Sequence, residues 1–221
     1  MHPWILGAAL FAAGSTCLAA PAPAPFDCPR AGAPAIERFV SADCPGCWAD
    51  DAAPADPARA WVFDWIVPAG DAAALAAAAS TDAAARQQRA GPAASPAGRA
   101  THTLATGLQL RVNSGPAWSG YMGVQLEARG RAPAGATAWL ALVEMLPAQA
   151  EGNAQPRRLV RAVAGPLALD GLAPGQPLKP LRAMRWPEGA LPERLQARAW
   201  VEAADGRILA VAHERCRVAR H

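Results

Sequence analysis

Several residue types that mark common classes of protein are scarce or missing in this chain. Of its 221 residues only Lys179 is lysine, and only one residue is tyrosine. The net charge is +3 with histidine neutral, and no run of lysine or arginine occurs, which argues against nucleic-acid binding. The phosphate loop, the dinucleotide-binding glycine pattern and the Gly-x-Ser-x-Gly of many hydrolases are absent from the sequence. We therefore expect no nucleic-acid partner and no cofactor.

Long hydrophobic runs are also missing after the first 20 residues. Residues 4–13 are continuously apolar, and small residues follow through Ala20, a pattern typical of a secretory signal peptide. The run is too short to span a membrane comfortably, and no later segment approaches the required length. We predict a signal peptide over residues 1–20 and a periplasmic or secreted mature protein that does not enter the membrane. A lipoprotein anchored at Cys17 and a cytoplasmic protein with an uncleaved N-terminus are the alternatives.

The few cysteines are arranged in an informative way. Removal of the signal peptide would leave four, and an even number in an exported chain predicts disulfides. Three pairings are possible, and the simplest joins Cys44 to Cys47 and Cys28 to Cys216. The alternative is a zinc site, in which Cys28, His213 or Cys216 would complete the coordination by the Cys-x-x-Cys pair. We favour disulfides and expect no bound metal.

The stretch from Ile36 to Trp48 is the most specific signal in the chain. A short run with β-branched and aromatic residues over 36–41 predicts a strand, and Cys44 and Cys47 follow it closely. Pro45 and Gly46 between the cysteines favour a tight turn. Acidic residues after Cys47 suit the first turn of a helix. Strand, Cys-x-x-Cys and helix in this order are the arrangement of a thioredoxin-like redox centre, in which the first thiol gains thiolate character.

The remaining chain divides into two halves by its pattern. After a Pro/Ala-rich lead-in over 21–35, residues 36–115 predict a β-α-β-α-β order, with a second strand over 60–67 and an alanine-rich helix over 71–90. Residues 116–221 contain alternating stretches at roughly even spacing with Pro/Gly turns, which predicts a β-sandwich. The expected fold class is α+β: a reduced thioredoxin-like α/β domain followed by an antiparallel β-sandwich domain.

Charged residues inside apolar stretches each allow more than one interpretation. Asp64 lies in the second strand and either bonds local backbone amides at a strand end or relays protons to the cysteines; we favour the first. The basic cluster of Arg157, Arg158 and Arg161 is interpreted as a solvated strand edge that discourages edge pairing. The scattered histidines have no identifiable catalytic partner in the sequence.

These motifs together resemble a bacterial family of secreted thioredoxin-like proteins of unknown function. The family has a strand reading roughly V-E-L-F-T-S before its Cys-x-x-Cys, and residues 36–41 read I-E-R-F-V-S. A family strand containing V-D-Y-W is similar to residues 63–65, and a later R-Q pair matches Arg86 and Gln87. Residues 159–161 and the final hairpin look like the family's β-sandwich extension. The resemblance covers most of the mature chain and implies the two-domain fold given above.

Two functions follow as expectations. The first is thiol–disulfide exchange with thiol- or disulfide-bearing envelope proteins, in which Cys44 attacks and Cys47 resolves the mixed disulfide. The second is a binding or structural module of the cell envelope, in which both disulfides only stabilise the fold. The sequence does not indicate an oligomeric state.

Overall fold

A computed structural model of the chain describes residues 28–29, 32–49, 59–91, 97–105, 107–150, 152–173 and 175–216. The expected signal peptide and most of the expected lead-in lie outside these residues. In chain order the elements are β1 (Ala35–Ser41), α1 (Pro45–Ala49), β2 (Trp61–Val67), α2 (Thr81–Ala90), β3 (Ala97–His102), β4 (Leu108–Trp118), β5 (Tyr121–Gly130), β6 (Thr137–Leu146), β7 (Arg157–Ala168), β8 (Leu181–Arg185), β9 (Leu195–Glu202) and β10 (Ile208–His213).

The strands form two sheets. A mixed seven-stranded sheet has the order β10-β9-β6-β7-β2-β1-β3, and a three-stranded antiparallel sheet has the order β4-β5-β8. In the large sheet β1 and β2 are parallel, and β2 pairs in parallel with β7 where Asp64 lies opposite Leu159. This pairing joins strands from the two halves of the chain into one continuous sheet.

The predicted fold class is therefore wrong. The described chain is mostly β, with α1 and α2 as its α-helices, and it does not contain a thioredoxin-like α/β domain followed by a separate sandwich. The physical reason is the burial of β2, whose five central residues are all buried, so that both edges and both faces of this strand need partners. The strand β7, which the sequence assigned to the second half, supplies one of those edges. The proposed domain boundaries at 36–115 and 116–221 stay a prediction.

The alanine-rich segment forms less helix than predicted. The expected helix over 71–90 is limited to α2, and residues 71–80 form turns with one short 3-10 segment, Ala76–Ala78. The helix begins after Ser80, whose hydroxyl accepts a hydrogen bond from the backbone N–H of Ala83 at 3.1 Å. A side-chain cap fixes the helix start here, and the preceding alanines pack beside Trp48 instead of extending the helix.

The larger core lies between the two sheets. The inward face of the three-stranded sheet packs against β6 and β9 of the large sheet. Alternation along β5 decides which residues enter it, since Met122, Val124, Leu126 and Ala128 are buried and the residues between them are not. A second core, on the other side of the large sheet, contains the stacked rings of Phe39 and Trp65, and Trp200 meets Trp65 edge-to-face.

Candidate functional site

The two cysteines of the Cys-x-x-Cys pair lie directly beyond the end of β1. The Ala42 N–H donates to the Val67 carbonyl at 2.9 Å, which keeps β1 beside β2 up to this point. The Cys44 N–H donates to the Ser41 carbonyl at 3.0 Å and closes the turn into α1. The first cysteine therefore lies at the carboxyl end of a parallel strand, as the sequence predicted.

Cys44 and Cys47 form a disulfide, so this predicted pair is confirmed. The backbone N–H of Cys47 donates to the Cys44 Sγ at 3.3 Å. Both cysteines are partly exposed. A backbone N–H directed at a sulfur favours negative charge on it, so after reduction this contact would stabilise a Cys44 thiolate.

A buried tryptophan and an arginine fix the helical turn that carries Cys47 to the rest of the fold. Trp48 is buried among Val40, Ile66 and Leu159. Arg157 of β7 donates through Nη2 to the Trp48 carbonyl, and its guanidinium carbon lies 5.0 Å from the centre of a Trp48 ring. Sequence reasoning missed Arg157 as part of this site, because 109 residues separate it from Trp48.

Charges of opposite sign flank the disulfide. The buried, positively charged Arg157 bonds the carbonyl of Trp48, the residue after Cys47. The exposed Asp43 comes directly before Cys44. A guanidinium near a thiol favours the thiolate, and a carboxylate disfavours it. Because Arg157 is buried and Asp43 is exposed, solvent screens the charge of the arginine less than that of the aspartate.

The interpretation of the basic cluster as a solvated edge is wrong. Arg157 and Arg158 are buried, and the Arg161 side chain is only 6% exposed. The reason is that β7 is an interior strand, paired with β6 and β2. Arg161 Nε lies 2.6 Å from Oε2 of the buried Glu144, so this charge is compensated inside the fold.

Asp64 has a structural role. It is buried in the middle of β2, where its carboxylate accepts from Arg38 Nε at 2.5 Å and from Arg38 Nη2 at 3.0 Å. Its Oδ2 also accepts from the backbone N–H of Arg158 at 2.6 Å. Asp64 thus bonds a backbone amide, as the favoured interpretation expected, but the amide belongs to β7, and Asp64 is not at a strand end.

The second disulfide joins Cys28 to Cys216, whose Cα atoms are 5.5 Å apart, and confirms the simplest pairing. Four of the five cysteine and histidine candidates for zinc are thus sulfurs in disulfides. The fifth, His213, donates from Nε2 to the Gln196 amide oxygen, and its Nδ1 accepts from the Arg215 N–H at 3.1 Å. Burial, then the nearby charges of Arg198 and Arg215, lower the pKa of His213 to about 3. Among the described residues no cluster suited to a metal ion is found.

A buried charge network, which the sequence did not reveal, connects the two halves of the chain. Glu37 accepts from Arg86 at 2.7 and 2.5 Å, from His102 Nε2 at 2.9 Å and from Trp65 Nε1 at 3.1 Å. Arg86 reaches onward to Glu202 of β9 at 2.6 Å. Burial by itself raises the pKa of Glu37, but the hydrogen bonds from His102 and Arg86 outweigh it and hold this pKa below its usual value. The sequence singled out both Glu37, within a strand, and Arg86, in the R-Q pair, but gave no sign that the two are in contact.

No protein-family model matches the chain, and no curated protein matches it. One solved structure, HBP35 of Porphyromonas gingivalis, is similar with a TM-score of 0.52 over 83% of this chain and 74% of that chain, at 11% identity. This likeness concerns the fold alone. Among the described residues no helix has the length and apolar character needed to cross a membrane.

Proposed function

We propose that this protein is an exported thiol–disulfide exchange protein that acts through Cys44 and Cys47, related to the secreted thioredoxin-like family its motifs resemble. The observation that supports the proposal best is the hydrogen bond from the Cys47 N–H to the Cys44 Sγ in a partly exposed disulfide. This contact favours Cys44 as the nucleophile, since the bond stabilises its thiolate. The buried positive charge of Arg157 under the same turn acts in the same direction.

The proposed reaction conserves electrons and atoms. In the reduced protein the Cys44 thiolate attacks a disulfide of an envelope protein, which forms a mixed disulfide and releases one partner thiolate. Cys47 then loses its proton and attacks Cys44 Sγ, which releases the second partner sulfur as a thiolate. The partner gains two electrons and leaves as two thiolates, which take up the proton lost by Cys47 and a further proton from solvent, and the Cys44–Cys47 disulfide is formed.

The two disulfides differ in what they contribute to stability, and this supports a division of roles. In the chain-entropy model, the bond across 188 residues from Cys28 to Cys216 stabilises by about 5 kcal/mol, while the bond across three residues from Cys44 to Cys47 contributes about 2 kcal/mol. Reduction of the short loop thus leaves most of the stabilisation by disulfides in place. The long-range bond is the structural one, and the short-range bond is free to change its redox state.

A second candidate is a binding or structural module of the cell envelope in which Cys44–Cys47 is a permanent disulfide. Two observations favour it: the negative charge of Asp43 lies next to Cys44, and Cys47 packs against the buried cluster around Trp48. Packing of one sulfur into a core restricts the access of a partner to that sulfur, though it leaves Cys44 as a possible point of attack.

Measurement of the reduction potential separates the two candidates. We expect the Cys44–Cys47 pair to titrate in glutathione buffers between roughly −120 and −270 mV, the range of exchange catalysts. A reduced Cys47→Ser variant should trap a mixed disulfide with a disulfide-bonded model substrate. A Cys44→Ser variant is the matched control and should trap none. A potential below about −300 mV, or no trapping by Cys47→Ser, would establish the structural role instead.

A further inference from the structure

The outer face of the three-stranded sheet carries an exposed row of large side chains. Trp118 lies directly opposite Tyr121, and Tyr121 lies opposite Arg185, so the three side chains share one face across β4, β5 and β8. Trp118 is 80% exposed and Tyr121 is 49% exposed. The turn between them places Ser119 and Gly120 at φ of 48° and 80°, the geometry of a tight hairpin turn. The turn therefore fixes the backbone positions of the aromatic pair at the end of the sheet.

A second row lies further along the same face. Asn113, Gln125 and Leu181 are opposite one another on β4, β5 and β8. Gln125 is four residues from Tyr121 along β5, so the two rows are roughly 13 Å apart. Amide side chains can donate and accept hydrogen bonds at the same time, which suits ligands rich in hydroxyl groups.

The space between the rows is lined mainly by backbone, and the Leu181 side chain lies at its border, with Cδ1 3.9 Å from the position of a Cβ on Gly123. Gly123 and Ala183 lie opposite each other there and present only backbone and one methyl group. Gly115 of β4 lies beside them, since a Cβ on it would be 3.9 Å from the Gly123 carbonyl oxygen. The two rows and this flat floor form a trough that crosses all three strands, which we call the outer trough. With strands about 4.8 Å apart, it is about 10 Å long from β4 to β8.

The charges near the outer trough favour an anionic ligand. Glu127 is the carboxylate of this face, and it lies 2.7 Å from Arg129 and 3.4 Å from Lys179, which compensate its charge. Arg111 lies on the same face of β4 next to the second row, and Arg185 belongs to the first row. Cations therefore outnumber carboxylates on the described part of this face, and guanidinium groups bind carboxylates through paired hydrogen bonds.

We propose that the outer trough binds an acidic polysaccharide that runs across the three strands. The C–H face of a sugar ring packs on Trp118 and Tyr121, its hydroxyl groups bond the amides of Asn113 and Gln125, and its carboxylate pairs with Arg185. The amides of Asn113 and Gln125 and the recessed floor favour a sugar chain over a lipid surface, because insertion into the acyl region of a membrane would bury these amides without hydrogen-bond partners. The inference is independent of the redox proposal and uses a different face of the protein.

Binding to polygalacturonate tests the proposal, and its fully methyl-esterified form is the neutral control with the same backbone. Polyphosphate serves as a polyanion without sugar rings. We expect the full chain to bind polygalacturonate at least roughly tenfold more tightly than either control polymer. Equal binding of polyphosphate, equal binding of the ester, or retention only on anionic lipid vesicles would each overturn the proposal.

Three variants locate the binding to the outer trough, and a fourth is their control. Trp118→Ala removes an exposed ring, and Gly123→Leu fills the floor; neither should disturb folding, since Trp118 is solvated and a Cβ at Gly123 meets only Leu181 Cδ1 at 3.9 Å. Each should weaken polygalacturonate binding by about tenfold or more. Arg185→Gln should weaken it too, whereas Arg207→Gln, at an exposed arginine of the β9–β10 turn, is the matched control and should not. Binding unchanged in Gly123→Leu with an intact fold would place any interaction elsewhere and refute the proposal.

Discussion

Acidification should destabilise this protein through one buried histidine, His213. Its pKa is lowered from 6.5 to about 3 by burial and by the charges of Arg198 and Arg215. In the folded state His213 stays neutral at mildly acidic pH, because its Nδ1 accepts the Arg215 N–H and its ring faces two arginines. In the unfolded chain the same ring takes up a proton as the pH falls through about 6.5.

The sign and size of the effect follow from proton linkage. Below about pH 6.5 the unfolded state binds more protons than the folded state, so the free energy of unfolding decreases as the pH falls, until the folded-state pKa near 3 is reached. Between about pH 7.5 and about pH 5.0 the expected loss from this one group is about 2 kcal/mol. Most of the loss occurs below the unfolded-state pKa, where the slope approaches about 1.4 kcal/mol per pH unit.

Urea unfolding at the two pH values, in parallel with His213→Gln, measures this effect. The variant loses the titrating group, so the difference in stability between the two proteins should shrink by about 2 kcal/mol on acidification. Titration of other groups, such as Glu37, is common to both proteins and cancels. A difference that stays constant between the two pH values would refute the reasoning, because His213 would then titrate alike in the folded and unfolded states.

Two further substitutions test the packing between the halves of the chain. Arg86→Met should lower the free energy of unfolding in urea by about 3–5 kcal/mol, because it leaves the buried Glu37 without its main partner. Arg89→Met, at a partly exposed arginine of the same helix, is the control and should lower it by about 1 kcal/mol or less. Equal losses in the two variants would contradict the network. Gly206→Ala should lower the free energy of unfolding by about 2 kcal/mol and lower the melting temperature with it. The reason is that Gly206 has φ of +81° and that a Cβ there would lie 2.0 Å from the Arg89 carbonyl oxygen. An unchanged melting temperature would contradict that contact.

Local sequence signals were sufficient for the strand that leads to the cysteine site and for the order strand, cysteines, helix. The β-branched and aromatic residues before Cys44 specify β1, but the predicted turn at Pro45 and Gly46 is the start of α1, and the chain turns at residues 42–43 instead. The disulfide pairing could be chosen as the simplest of three, because two cysteines with only two residues between them close the shortest loop. Period-two alternation likewise predicted strands within residues 116–221, and β5 follows that alternation in its burial.

What could not be predicted depends on contacts between distant segments. The pairing of β2 with β7 has no local signal, and without it the two halves looked like separate domains. The arginines of β7 looked solvated because the sequence gives their charge but not their partners, which lie on other strands. The strand β8 was missed, since its five residues have only one buried side chain, Met184, and no clear alternation. The alanine-rich run looked helical because propensity is a weak prior that packing overrides.

The Cys28–Cys216 bond also determines how the protein would respond to mechanical force. Tension applied to the chain outside these two cysteines passes through a covalent bond between atoms only 5.5 Å apart at Cα, and does not load the strands between them. Under oxidising conditions a stretched protein would thus keep its cysteine site and its outer trough in their folded geometry. After reduction of this bond the same force would act on β10, at the edge of the large sheet, and would detach the strands of that sheet in sequence from this edge.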